Sequence, residues 1–79
     1  MDWRQHIHAD PRVLAGKPSV KGTRLAVEFL LGLLAEGWTQ EQLLANYPTL
    51  TPDALRAVFD FAADAVREQA LYTVAAPAG

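Results

Sequence analysis

Residues 25–36 have helical periodicity, and their apolar side chains lie on nearly every face of the predicted helix. Leu25, Phe29 and Leu33 form one stripe, whereas Leu31 lies on another face. A helix that is apolar nearly all round is expected to be buried nearly all round. A chain of 79 residues has too little protein to cover it, because small domains bury only about 60% of the surface of the unfolded chain. The segment therefore predicts self-association as a homodimer.

Two further helices follow, and each begins with capping residues. Thr39 can accept a hydrogen bond from the backbone of Gln42, whose side chain can bond back, so a capping box opens a second helix over residues 39–46. Thr51 followed by Pro52 is typical of an N-cap and first helical position, so a third helix is expected from there to about residue 69. The sequence thus predicts a mainly α, three-helix unit.

The chain before the first helix predicts extended structure and turns. Pro11 and Pro18 keep the residues before them out of the helical region. Short strands near residues 5–8 and 19–23 would pair as a β-hairpin, and residues 71–74 could add a further strand beside it. We expect one domain over residues 1–79, divided into a β- and turn-rich element (1–24), three helices (25–70) and a short tail (71–79).

Composition excludes several classes of protein. The absence of cysteine rules out a disulfide, a zinc–thiolate site and a thiol nucleophile. Apolar residues make up 51% of the chain and charged residues 20%, which is typical of a globular domain. No apolar run reaches the roughly 20 residues that a membrane-spanning helix needs, and the first residues lack the apolar region of a secretory signal. We therefore expect a cytoplasmic protein that does not enter a membrane.

The net charge of −2 conceals an asymmetry along the chain. Residues 1–24 carry five basic and two acidic side chains, whereas residues 25–79 carry two basic and seven acidic ones. A polyanion is therefore expected to meet the N-terminal part of the chain. The candidate phosphate contacts there are Lys17, Lys21 and Arg24, in a glycine-containing loop. The alternative interpretation is a solvated hairpin loop with no ligand.

The second and third helices have the lengths and the short connection of a helix-turn-helix. In such a unit the first residues of the second helix reach base edges in the major groove, and here these are Asp53, Ala54, Arg56 and Ala57. Arg56 is the candidate for reading guanine. The alternative is a three-helix core with no role in nucleic-acid binding, because folds of this shape serve many functions.

The third helix has two apolar stripes and is therefore expected to have two partners. The stripe assigned to the core of the chain itself contains Leu55, Val58, Phe59, Ala62 and Val66. The stripe assigned to another chain contains Ala54, Ala57, Phe61 and Ala65. Together with the first helix, this pattern predicts an interface between chains at Val27, Leu31, Phe61 and Ala65.

Catalytic and metal sites find little support in the sequence. His6 and His8 lie two residues apart, but beyond Asp10 no third metal ligand is near them. A packed or exposed histidine pair is the favoured interpretation. Ser19 is the only serine, and the sequence does not suggest a histidine and an acid oriented toward it. We therefore predict no enzymatic activity, no catalytic residue, no metal and no cofactor.

Several motifs resemble those of a bacterial and archaeal family, the domain of unknown function 433, over residues 7–62, or 56 of the 79 residues. They are an Asp-Pro start at 10–11, Gly-Lys-Pro at 16–18, Gly-Thr-Arg at 22–24, the end of the first helix at 33–39 and a Tyr-Pro-x-Leu-Thr turn at 47–51. The resemblance implies a homeodomain-like helix-turn-helix with a small β-element. It also implies an antitoxin-like role beside a PIN-like ribonuclease toxin, without catalytic residues to carry over.

Two functional hypotheses follow. In the favoured one, the protein is a DNA-binding, antitoxin-like regulator of a toxin–antitoxin operon, and a homodimer presents two helix-turn-helix units to operator DNA while holding a PIN-like toxin. In the alternative, the protein does not bind DNA and is a protein–protein interaction module. Its acidic residues Asp60, Asp64 and Glu68 would then engage a basic partner.

Overall fold

A computed structural model of the chain describes residues 2–68. Within these residues a two-stranded antiparallel sheet precedes three helices, so the predicted order of a hairpin and a mainly helical remainder is confirmed. The strands are β1 (Ile7–His8) and β2 (Ser19–Val20), and the helices are α1 (Val27–Ala35), α2 (Gln40–Asn46) and α3 (Pro52–Arg67). The strand predicted at 71–74 and the tail lie outside the described residues. No helix in the described range is long and apolar enough to cross a bilayer.

The hairpin lies where the sequence predicts it but is shorter than expected. Ile7 pairs with Val20 and His8 with Ser19, so each strand contains only two residues. A 3-10 turn over Trp3–Gln5 takes up the start of the predicted first strand. The predicted second strand ends early because the chain bends after Val20, whose carbonyl accepts the backbone N–H of residue 23 at 3.1 Å.

The loop between the strands contains a turn, as the sequence predicts, but the backbone conformation of this turn was not predicted. Leu14, Ala15 and Gly16 all have left-handed backbone conformations, with φ of 51°, 55° and 85°. Glycine adopts this conformation readily, whereas other residues pay about 1–2 kcal/mol for it. The loop therefore stores backbone strain at Leu14 and Ala15.

The helix ends confirm the local predictions. Thr39 and Gln42 form the reciprocal capping box, with N···O distances of 2.8 and 3.1 Å. The Thr51 hydroxyl accepts the backbone N–H of Ala54 at 3.1 Å. Gly37 follows the end of α1 with φ of 104°. Polar side chains and one glycine thus satisfy the free backbone groups at these helix ends.

The first helix begins two residues later than predicted. Leu25 and Ala26 are held beside the sheet instead, because the Leu25 carbonyl accepts the N–H of Val20 at 3.0 Å and Ala26 forms an antiparallel bridge with Ser19. The entry into α1 is therefore fixed by the hairpin. This connection places the hairpin loop next to the first turn of the helix.

The core combines the hairpin with one face of each helix. Its buried members are Ile7, Val20, Val27, Leu30, Leu43, Leu50, Ala54, Leu55, Ala57 and Val58. Elsewhere on α1, Leu31, Leu33 and Leu34 are only half-buried, and Phe29 is 45% exposed. Among the described residues, a single copy therefore leaves apolar surface on α1, as the sequence suggests.

The division of α3 into two stripes was wrong. Ala54 and Ala57, assigned to another chain, are buried in the core of this one, whereas Phe59 and Val66, assigned to the core, are 40% and 53% exposed. Val27, a predicted interface residue, is also buried. The reason is that the first half of α3 buries neighbouring residues from both stripes. Ala54 and Leu55 are buried, as are Ala57 and Val58, so the face in contact with the core is wider than either stripe alone.

Candidate functional site

A groove with a volume of about 330 Å³ lies between α1 and α3. Apolar side chains form most of its lining, namely Val27, Leu31, Phe61, Ala62, Ala65 and Val66. The structure therefore brings together all four residues that the sequence predicts at an interface between chains. Val27 lies at the buried base of the groove, while Val66 is more than half exposed.

Two charged residues also line this α1–α3 groove, and they pair with each other. The Lys17 Nζ atom lies 2.6 Å from Glu28 Oε1, and both side chains remain largely exposed. Lys17 is a predicted phosphate contact, but its ammonium group already forms an ion pair with the Glu28 carboxylate. An exposed ion pair of this kind is worth only about 0–1 kcal/mol. The groove is consequently close to electrically neutral.

One wall of the groove is fixed by a contact that sequence reasoning missed. The ring of Trp3 meets Phe61 edge to face, with centroids 4.8 Å apart, and its indole N–H donates to Asp64 Oδ2 at 2.8 Å. Arg67 pairs with the other carboxylate oxygen of Asp64. A half-buried indole N–H needs an acceptor, so the sequence could have indicated that some acceptor lies near Trp3 but not which residue supplies it. Asp64 is therefore not a free member of an acidic face.

The basic residues divide into paired and unpaired sets. Within residues 2–68, ion pairs engage Arg4 with Asp2, Arg12 with Asp10, Lys17 with Glu28 and Arg67 with Asp64. Lys21, Arg24 and Arg56 are exposed and form no ion pair within that range. Three of the four predicted nucleic-acid contacts thus remain free for a ligand.

The start of α3 offers fewer side chains to a ligand than predicted. Asp53 and Arg56 are exposed, but Ala54 and Ala57 are buried against the core and cannot touch a base. Asp60 follows on the partly exposed side of the helix. Arg56 is therefore the remaining base-reading candidate in the first two turns, with an acid before it and another after it.

Residues 7–62 match the family model described as protein of unknown function (DUF433). The chain belongs to the DUF433 family. A crystal structure of a DUF433 member protein from Anabaena variabilis, at 2.00 Å resolution, is similar to it with a TM-score of 0.67 and 34% sequence identity. The alignment covers 70% of this chain and 55% of that one. No functionally curated protein matches the sequence significantly.

The DUF433 match and the groove overlap only in part. The matched range contains Lys21, Arg24 and Arg56, together with the buried core. It ends at residue 62, midway along the groove, so Trp3 and Ala65 lie outside it. The DUF433 match therefore includes the hairpin, α1, α2 and the first part of α3, whereas the last turns of α3, which form one end of the groove, lie beyond it.

The histidines and Ser19 do not assemble into a site. No group of three or more potential metal-ligating side chains is found among residues 2–68. His6 and His8 are half-buried. The Ser19 hydroxyl is fully buried and has no hydrogen-bond partner within the described part of the chain. His8 and Ser19 are members of the two strands, and His6 directly precedes the first strand.

Proposed function

We propose that this DUF433 protein is a DNA-binding, antitoxin-like regulator without enzymatic activity, and that it acts as a homodimer. In this proposal α2, the turn and α3 form a homeodomain-like helix-turn-helix. The observation that carries it is the exposed Arg56, which lies in the second turn of α3 and has no acidic partner among the described residues. An arginine at this place in a helix-turn-helix is suited to bind guanine.

Lys21 and Arg24 supply phosphate contacts in this proposal. Both are exposed and lie between β2 and α1, where the hairpin fixes the backbone on either side. Contacts to phosphate position a protein on DNA without reading its sequence. Lys17 contributes less, because binding a phosphate would require it to release Glu28.

The experiment is fluorescence anisotropy with DNA from upstream of the coding sequence, titrated over a range of salt concentrations. Each phosphate contact contributes about −0.9 to the slope of log affinity against log salt. In a homodimer, Lys21→Gln or Arg24→Gln removes one phosphate contact from each copy. Either change should therefore make the slope less negative by about 1.8. Arg56→Gln should weaken specific binding by about 1–3 kcal/mol per half-site.

Arg67→Gln is the matched control, since Arg67 lies on the same helix but pairs with Asp64 at its far end. This change should leave DNA affinity nearly unaltered. Absence of binding at low salt, with the partner protein present, contradicts the proposal. Equal losses for Arg56→Gln and Arg67→Gln also contradict it, because they would show a general charge effect.

A second candidate function is a protein-binding module that does not bind DNA. The observation in its favour is that Asp53 and Asp60 lie before and after Arg56 on α3, so acidic side chains outnumber basic ones in the first part of this helix. Its partner would be a basic protein such as a PIN-like ribonuclease toxin. Co-expression with such a toxin and native mass spectrometry test it. Asp60→Asn combined with Glu68→Gln should reduce complex formation, while Lys21→Gln should not.

The homodimer is part of both candidate functions. A second copy provides the cover that α1 lacks, and the α1–α3 groove is the apolar surface available for it. Light scattering at micromolar concentration should give twice the chain mass of 8.6 kDa. A monomeric mass with a cooperative unfolding transition contradicts this part of the proposal.

A further inference from the structure

The α1–α3 groove lies beside the point where the chain leaves the described residues. Ala62, Ala65 and Val66 line it from α3, and that helix ends at Arg67 with Glu68 as its C-cap. Eleven more residues follow Glu68 in the sequence, and none of them carries a charged side chain. They include the apolar stretch Leu71-Tyr72-Thr73-Val74. An apolar segment therefore starts next to an apolar groove.

We propose that residues 71–74 of one copy occupy the α1–α3 groove of a second copy. This inference rests on the homodimer in the proposed function and adds which part of the partner copy fills the groove. It gives a two-fold exchange, in which each chain donates its segment and receives the other.

The chemistry of the groove fits a neutral, apolar occupant. Lys17 and Glu28 are its charged lining residues, and each already neutralises the other. A charged segment would have to separate this pair, whereas a neutral one leaves it intact. Docking would also cover Val66, which is 53% exposed in the single copy.

The connection between α3 and the segment favours the second copy over the same copy. Only Gln69 and Ala70 separate the C-cap from Leu71. To enter its own groove the chain would have to reverse direction within these residues. Such a reversal is commonly made through a left-handed glycine or asparagine, a conformation that is sterically unfavourable for other residues. Glu68 itself is right-handed, with φ of −82° and ψ of −6°. A short connection without a turn residue is the situation in which segments exchange between copies.

A disulfide-trapping experiment tests the exchange, because the natural chain contains no cysteine. The variants Ala62→Cys, in the groove, and Thr73→Cys, in the segment, are purified separately, mixed and oxidised mildly. Intact mass spectrometry then identifies the disulfide-linked heterodimer, which can only be intermolecular. We expect at least about tenfold more of it than in the control, since docking raises the effective concentration of the two thiols. The control pairs Thr73→Cys with Gln40→Cys, which is exposed at the start of α2 and outside the groove lining.

Two outcomes would overturn the proposal. The first is heterodimer formation at the control level. The second is a monomeric, internally linked product from the double variant Ala62→Cys/Thr73→Cys, which would show that the segment enters its own groove. Light scattering separates these failures from failure of the proposed homodimer. A dimeric mass without trapping removes only the exchange, whereas a monomeric mass removes the dimer as well.

A hinge variant provides an independent test. Gln69→Gly combined with Ala70→Gly supplies the residues that allow a reversal. In the double-cysteine background it should shift the product from intermolecular toward intramolecular linkage and lower the dimer fraction. An unchanged ratio of the two products would contradict the argument from the short connection.

Discussion

Residues 2–24 and residues 25–68 keep their conformations by different kinds of interaction. The first region has two strands of two residues each and a left-handed turn at 14–16, and it contributes few side chains to the core. The second has capped helices that share one buried face. The comparison shows that side-chain caps fix the starts of α2 and α3, whereas short-range turn hydrogen bonds and a left-handed loop shape the hairpin region.

The same comparison changes how the charge of the chain is read. Of the five basic residues before residue 25, three pair with acids, namely Arg4, Arg12 and Lys17. Lys21 and Arg24 are the remaining two. A count of charges along the sequence therefore overstates the field that a polyanion would meet.

Removing a core side chain from the helical region should have the largest effect on stability. Leu30 is fully buried on α1, so Leu30→Ala should lower the free energy of unfolding by about 2–5 kcal/mol. Leu33→Ala, on the same helix but half-buried, should cost less than half as much. Urea denaturation followed by circular dichroism measures both. Similar losses for the two variants would mean that α1 is covered on both sides, as in a dimer interface.

The parts of the fold that the sequence predicted are those determined by neighbouring residues. The capping box at Thr39 depends on a residue only three positions away, and it is present. By contrast, the hydrogen bond from Trp3 to Asp64 joins residues 61 positions apart, and no local pattern predicts that pairing. The burial of Ala54 depends on which neighbour α3 packs against, and that too is a tertiary property.

The candidate site follows the same division. The groove residues on α1 and α3 were predicted because helical periodicity left them without a partner, and the structure places them together. The pairing of Lys17 with Glu28 was not predicted, because it needs the hairpin loop to lie beside the first turn of α1. The sequence thus located the surface but not the charges that line it.

A substitution in the hairpin should stabilise the protein. The Ser19 hydroxyl is buried without a hydrogen-bond partner among the described residues, so Ser19→Ala should raise the free energy of unfolding by about 1 kcal/mol. Thr23→Val is the opposite case. Its hydroxyl donates to the Val20 carbonyl at 2.8 Å and accepts the N–H of Leu25 at 3.0 Å, so its loss should cost about 1 kcal/mol. Equal signs in urea denaturation would contradict this assignment.

A single type of substitution should have opposite effects in the two regions. Ala15 has a φ of 55°, so Ala15→Gly removes strain and should stabilise by about 0.5 kcal/mol after the entropy of the added glycine is subtracted. Ala45 lies in α2, where Ala45→Gly should destabilise by about 1 kcal/mol. Thermal unfolding of both variants checks the signs. A loss at both positions would show that the loop is not left-handed at Ala15.

The smallest effect concerns the charge of Asp10. Hydrogen bonds from the Arg12 guanidinium, and then from the Arg12 backbone, hold the pKa of this carboxyl below its ordinary value. A lowered pKa means that the ionised form stabilises the fold at pH values above the unfolded-state pKa. That stabilisation is lost as the pH falls through the folded-state pKa. Asp10→Asn should therefore lower the urea midpoint slightly at about pH 7, and this difference should be smaller at about pH 2, because the stabilisation is lost as the carboxyl becomes protonated. A difference of the same size at both pH values would assign the effect to the geometry of the turn, since only the charge depends on pH.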